Sequence, residues 1–549
     1  MVCASSWGQG RMARARGGRV EPEPVTSGRG AWHPDATRIA LLATVASVLA
    51  FVVFWHQGTV LGYKDSLSHL LIGRRVVVGQ TTGLAQLGGI WLPLQHVLIM
   101  TLAWNDTLYL SGLAGSVFSM LCYVATCVGL HRVLHLATGS RAAGWAGAAV
   151  FGLAANVLYL QSTPMGEPLM YAGMVWAVLA VGQWQREGRT SWLFVGAGLC
   201  ALLVLVRYEA WIFSAAMWCV VLQTCVAQRR RFWRGDQSAQ GLLLVFGFYM
   251  GVAVLAWLLW NQIIFGDWMG WLSGTYGSRD LTARLELVQV GSLRQSLLTY
   301  AWGAVHVVSW PFLATGLVGL LVMAARERLS PAFSAFAVTL VPPAFLVYGL
   351  WSGSQPMRVV EVDGDLYNLR MAVVLLVPAA LFTGYLVSRL SARAPGLRAL
   401  GVGLVVAIGS ASLAVALRGG GESVVTEVEA AQAWLAYEEQ REVGEWVAEQ
   451  TSGRVLVESI FNEWVVFPNQ DRVVYEGSQD AWTSGLSAPG DAASDIHVVV
   501  MRTTPGDEDS VHDALYDTDR LWGFGVVLQT DNFLVLEKGA PGDAVRTRQ

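Results

Sequence analysis

The sequence predicts a polytopic α-helical membrane protein that ends in a small α/β domain. Three observations carry this. The 549 residues are 54% hydrophobic and only 14% charged, whereas about a quarter of a soluble chain is charged. Apolar runs of about 18 or more residues, long enough to cross a bilayer as helices, recur through the first three quarters. Charge is also divided. From Arg418 onward there are 24 acidic and 9 basic residues, a net −15, so residues 1–417 carry +12. An acidic tail on a positive, apolar body marks a separate water-exposed module. No nucleic-acid partner is expected for either part.

Residues 1–37 hold Arg11, Arg14, Arg16, Arg19 and Arg29 among glycine, proline and serine, the composition of a disordered basic leader. No small-residue cleavage site follows the apolar run at 39–55, so that run is expected to be an uncleaved first span. Further spans are expected at 108–130, 142–160, 168–184, 191–206, 210–226, 240–262, 298–324, 332–351, 369–387 and 397–417, eleven with the first. The run 91–104, about 14 residues, is short for a span and fits an interfacial or re-entrant helix. Five of the six cysteines lie in apolar segments, leaving neither a disulfide framework nor a zinc spacing.

Alternate connections differ in basic residues. With the N-terminus inside, inner connections hold 19 Lys and Arg, including Arg229-Arg230-Arg231 and Arg234, and outer ones hold 9. That bias predicts a plasma-membrane protein with a cytoplasmic N-terminus and an extracytoplasmic C-terminal domain. The organisation is then a leader (1–37), a membrane domain (38–417) with outer loops 56–107, 265–296 and 352–368, and an acidic domain (418–549). In the last, residues 424–450 have helical periodicity. Apolar runs follow at Val455–Val457, Trp464–Phe467, Val473–Tyr475, His497–Met501, Phe524–Leu528 and Phe533–Leu536, with a helix near 508–516.

Polar residues gather at the expected outer ends. Asp65 and His69 are four apart and share a face if 64–78 is helical, with Arg75 flanking it. A carboxylate, an imidazole and a cation beside a membrane could handle a proton and an anionic headgroup, but an interfacial helix with solvated charges reads the same way. Trp91 and His96 lie in the same loop. Glu167 precedes a proline at a helix start, where a carboxylate is stabilised by the helix dipole anyway. Arg207-Tyr208-Glu209 and Asn368-Leu369-Arg370 interrupt apolar stretches. Their arginines could clamp a phosphate or snorkel to lipid headgroups. Asp363 and Asp365 could hold a divalent cation or form an ordinary turn. His306 reads as a packing residue, and the lack of a second His at ligand spacing argues against zinc.

These stretches together resemble the GT-C glycosyltransferases, in the branch of protein O-mannosyltransferases and lipid A aminoarabinose transferases. Asp65, Trp91-Leu92-Pro93-Leu94, Met165-Gly166-Glu167-Pro168, Arg207-Tyr208-Glu209-Ala210-Trp211, Ile264-Phe265-Gly266-Asp267 and Asn368-Leu369-Arg370 carry the resemblance. It implies transfer of a sugar from a polyprenyl-phosphate donor to a hydroxyl of a glycan, lipid or protein at the outer face. Asp65 would be the general base, with His69 and Glu167 orienting the base or acceptor. Arg75, Arg207 and Arg370 would hold the donor phosphate, and Trp91, His96, Tyr208, Glu209 and Asn368 would line the cavity. Many relatives have a second acid directly after the aspartate; here that position is Ser66. A transporter or lipid flippase, or an inactive relative serving as a scaffold, is the alternative. A transporter should carry ionisable or broken helices near the midplane, yet these spans are almost free of charge at their centres.

Overall fold

The computed structural model describes residues 34–228, 238–273, 278–283, 285–391, 396–434, 437–492 and 494–541. Residues 1–33 of the expected leader and the Arg229-Arg230-Arg231 and Arg234 cluster lie outside the described residues. Among these, eight helices are long and apolar enough to cross a membrane: Pro34–His56, Leu113–Thr138, Glu209–Ala227, Ala239–Phe265, Trp310–Glu327, Pro331–Ser352, Leu369–Leu390 and Arg398–Leu417. Arg141–Gly152 and Ala155–Gln161 make a ninth if their 68° bend is one broken span. This is a multi-pass membrane protein.

The expected count of eleven is not confirmed, and the shortfall has local causes. Thr190–Val204 has 15 residues, about 22 Å of helix against a hydrocarbon core of about 30 Å. Glu167–Glu187 opens on a buried carboxylate and ends on Gln185-Arg186-Glu187, which dilutes its apolar character. The run at 298–324 breaks at Ser309, whose φ is +69°. The helix Leu293–Val308 stops there, and a new one starts at Trp310 with Pro311 in its first turn, where a missing N–H costs nothing. Leu94–Ala103 is a 10-residue apolar helix, too short to cross.

Burial sorts the spans. The apolar window of Leu369–Leu390 is 89% buried, whereas that of Arg398–Leu417 is 11% buried, with Leu400 and Leu404 facing outward. The first is the hub of the bundle and the second a lipid-facing staff. Arg370 sits at the start of the hub. At its other end Arg389 and Tyr385 meet Glu327 at 3.0 and 3.1 Å, so polar groups cap both ends of an apolar shaft.

The C-terminal segment builds a five-stranded sheet ordered β2-β1-β3-β5-β4. Its strands are β1 (Arg454–Leu456), β2 (Val473–Val474), β3 (Ile496–Arg502), β4 (Phe524–Gln529) and β5 (Phe533–Lys538). β1 runs parallel to β2 and β3, and β5 antiparallel to β3 and β4. Val498, Val499, Val500 and Met501 are all fully buried, as a strand covered on both faces requires. The expected helix at 508–516 is Ser510–Leu515, started by Asp509, whose carboxylate accepts from His512 N at 2.9 Å. The run Trp464–Phe467 is not a strand; Glu463–Val466 is a helical turn that continues as Phe467–Asn469. Asn469 Nδ2 donates to Gly444 O and Val465 O, both at 2.9 Å, which fastens that turn to the preceding helix.

This module rests on the end of the bundle that carries Asp65. Tyr109 OH donates to Phe467 O at 3.0 Å, Ser68 Oγ to Glu463 at 3.2 Å and Val424 N to Asn156 Oδ1 at 2.9 Å. Lys64 Nζ lies 3.3 Å from the centre of the Phe461 ring. The acidic domain and the Asp65 loop therefore share one side of the membrane.

Candidate active site

Asp65 lies in the first turn of the helix Lys64–Arg75, which ends on Arg74 and Arg75. Acid at the start and base at the end both complement the helix dipole. Gly73 faces Ile99 so closely that a Cβ there would come within 2.3 Å of Ile99 Cγ2. The glycine thus lets this helix lie directly on Leu94–Ala103. Ser66 is fully buried, and its hydroxyl donates to Tyr63 O at 2.6 Å.

Two other chain segments meet at Arg370. Its Nη2 donates to Asp65 Oδ2, its Nη1 to Glu167 Oε1 at 3.1 Å and its Nε to Asn368 Oδ1 at 3.2 Å. Its guanidinium carbon lies 4.8 Å from the centre of the Tyr63 ring. Arg207 completes the chain, donating from Nη1 to Glu167 Oε1 and from Nη2 to Glu209 Oε1, both at 2.8 Å. The result is an alternating row, Asp65–Arg370–Glu167–Arg207–Glu209. Glu167, Glu209 and Arg370 are at most 5% exposed, while the Asp65 side chain keeps 27% exposure. Behind the arginines, Glu167, Met170, Tyr171, Arg207, Glu209 and Met371 line a small cavity.

Burial pushes the Asp65 carboxyl up, but Arg370, with His69 and Lys64, outweighs it and holds the group below the usual carboxylate range. One turn on, burial lowers His69 to about 4 against the opposing pull of Asp65 and Glu167. His69 is therefore neutral at physiological pH. Its Nδ1 lies 2.8 Å from Nε2 of the fully buried His96, and its ring is 4.4 Å from that of Trp91. One proton bridges the two imidazoles, so the tautomers of His69 and His96 are linked.

Asp65, His69, Trp91, His96, Glu167, Arg207, Glu209, Asn368 and Arg370 thus form one contiguous set. Tyr208 borders it, donating to Ile90 O at 2.7 Å and stacking on Trp271 at 4.2 Å. Arg75 does not join the arginine row; it donates to Gln86 O at 2.9 Å and lies over Tyr475 of the C-terminal module. Asp363 and Asp365 do not share a site either. Asp363 accepts from Gln289 Nε2 at 2.9 Å and Val359 N at 3.1 Å, and Asp365 pairs with Arg358 at 3.0 Å.

Two participants escape the sequence reading. Tyr63 OH donates to Glu427 Oε1 at 2.7 Å and lies 3.0 Å from Asn368 Oδ1. Glu427, from the C-terminal module, also accepts from the backbone N–H of Asn368 and Leu369 at 2.6 and 2.9 Å. Asn368 has φ +55°, a strained turn that Glu427 holds in place. Burial raises the Glu427 pKa even against these donors. Tyr63 adjoins Asp65 and could be suspected on that ground alone; Glu427 is one acid among the 24 of its segment.

No protein-family model matches the chain, and no curated protein does. Solved structures do. ArnT from Cupriavidus metallidurans bound to undecaprenyl phosphate aligns with a TM-score of 0.54 at 13% identity, over 91% of this chain and 98% of that one. The apo form of the same protein gives 0.54 at 14% identity over the same shares. The chain shares the fold of that protein. The archaeal oligosaccharyltransferase AglB from Archaeoglobus fulgidus, in complex with an inhibitory peptide and a dolichol-phosphate, aligns at a TM-score of 0.49. Its identity is 12%, over 85% of this chain and 69% of that one.

Proposed function

We propose that this chain is a membrane glycosyltransferase that moves a sugar from a polyprenyl-phosphate donor to an acceptor hydroxyl at the outer face, with Asp65 as general base. The observation that carries the proposal is the pairing of Asp65 with Arg370 at the outer end of the most enclosed span. It brings a proton acceptor and a phosphate-binding group into direct contact. The GT-C fold supports it, and ArnT, which shares that fold, has been seen with undecaprenyl phosphate.

In the reaction the bond from the anomeric carbon to the phosphate oxygen breaks while the acceptor oxygen bonds to that carbon. The acceptor proton passes to Asp65, and the polyprenyl phosphate leaves with the electron pair. The enzyme must supply a base and stabilise the leaving anion. The resting row holds both functions in check, because each guanidinium already meets a carboxylate. A donor phosphate that takes Arg370 from Asp65 removes the cation that depresses the Asp65 pKa. Donor arrival thereby makes Asp65 a better base. Glu167, held by two arginines, is a poor base and positions them, and the His69–His96 pair with Trp91 orients the acceptor side.

Purified protein incubated with a panel of polyprenyl-phosphate sugars and candidate acceptors should release free polyprenyl phosphate with at least one donor. Binding of these donors without release under any acceptor condition would remove the enzymatic reading. The orientation rests on the basic-residue bias of the connections. Cysteine placed at the exposed Ser484 should be labelled in intact cells, and one at the exposed Gln240 should be spared. Protection at Ser484 would put the site on the inner face.

A further inference from the structure

We infer that His306, Glu361 and Glu422 form a binding site for a divalent transition-metal ion, Zn²⁺ foremost, separate from the Asp65–Arg370 row. The three residues come from three segments: the end of the helix Leu293–Val308, the short helix Val360–Asp363 in the outer loop, and the link between the last span and the C-terminal module. Their ligand atoms lie within 4.8 Å of one another. His306 Nε2 is 3.1 Å from both carboxylate oxygens of Glu361 and 2.6 Å from Glu422 Oε2. The helix that carries His306 ends two residues later, at the break before Ser309.

The contacts are hard to satisfy without a cation. A single imidazole nitrogen has at most one proton to donate, yet two carboxylates converge on it. Glu422 Oε2, for all its proximity, makes no hydrogen bond among the described residues. Two carboxylates held this close repel each other, and a divalent ion at their meeting point converts that repulsion into attraction. One nitrogen and two carboxylate groups, leaving a position for water, are a donor set that Zn²⁺ accepts. The imidazole disfavours calcium and magnesium, which take oxygen ligands. Zinc–donor distances of about 2.0–2.2 Å require the contact of Glu422 with Nε2 to open slightly, which its 30% exposure permits.

The site has a mechanical place in the fold. Glu361 sits in the loop closed by the Arg358–Tyr367 bridge, which leads directly into Asn368 and Arg370. Glu422 lies five residues before Glu427, which grips the Asn368 and Leu369 amides. Bound metal would clamp the outer loop to the C-terminal module just above the arginine row. His306 stacks on Trp302 with centroids 6.2 Å apart, which fixes its ring and offers Nε2 to the carboxylates.

Tag-free protein stripped by chelator should take up one equivalent of Zn²⁺ in a titration against a competing chromophoric chelator. Its melting temperature should rise on loading. His306→Ala and the isosteric Glu361→Gln and Glu422→Gln should each weaken binding at least tenfold and abolish the thermal response. All three side chains are partly exposed, so these variants should fold, and gel filtration in detergent checks that they do. Uptake by the triple variant equal to wild type would place the zinc elsewhere and overturn the assignment. So would absence of uptake and of any thermal shift in the wild type.

Discussion

Asp65→Asn should give a folded, membrane-inserted protein that binds donor and turns over about 10²- to 10⁴-fold more slowly, the usual loss when a positioned base is removed. Asparagine keeps an acceptor oxygen for Arg370, and Glu167 still balances the guanidinium. The stability cost should therefore not exceed that of one charged hydrogen bond, about 1.5–3 kcal/mol. The pH dependence carries a second signature. In the free protein Arg370 holds the Asp65 carboxyl below the usual carboxylate range, so the acid limb of kcat/KM should lie below that range as well. Once donor phosphate has drawn Arg370 away, the Asp65 pKa rises, and the acid limb of kcat should move to higher pH. His69→Ala should cost less than Asp65→Asn, because a neutral His69 orients and does not take the proton. The measurement is release of polyprenyl phosphate across pH, with thermal melting as the folding control. Wild-type turnover by Asp65→Asn would mean that another group is the base.

Much of this architecture is legible in the sequence because membrane physics leaves few choices. Long apolar runs have to be helices, and polar residues at their ends have to find water or each other. That logic places Asp65, Glu167, Arg207 and Arg370 at one end of the bundle without any structure. It does not show that they form a single row, since Asp65 and Arg370 are 305 positions apart and chain order carries no distance. Apolar patterning loses its grip where one residue redirects the chain. Nothing in Val307-Val308-Ser309-Trp310 announces the positive φ at Ser309, so the apolar run alone places His306 inside a span. Glu427 was invisible for another reason. Its partners are a tyrosine and two backbone amides, and no spacing rule connects an acidic helix to a turn about 60 residues earlier.

Arg370→Lys should reduce kcat/KM for donor about 10- to 100-fold while leaving the fold intact. The lysine retains a charge but can reach only one of Asp65, Glu167 and Asn368 at a time, whereas the guanidinium fork reaches all three. Loss of one charge-assisted contact is worth about 1.5–3 kcal/mol, and each 1.4 kcal/mol is about tenfold. Arg370→Ala is the less informative probe. It strips the cation from two carboxylates, one of them buried, and breaking a buried pair from one side costs about 3–5 kcal/mol of folding free energy. Arg207→Lys should do less harm to donor use, because Glu167 keeps Arg370 as a partner. If Arg370 both restrains Asp65 and receives the phosphate, the two residues are coupled. The double variant Asp65→Asn/Arg370→Lys should then be no slower than the product of the single losses predicts, and measurably faster, because the restraint has nothing left to act on. Strict additivity across that cycle, or a wild-type donor KM in Arg370→Lys, would show that Arg370 is a structural partner of the two carboxylates and that the donor phosphate is held elsewhere.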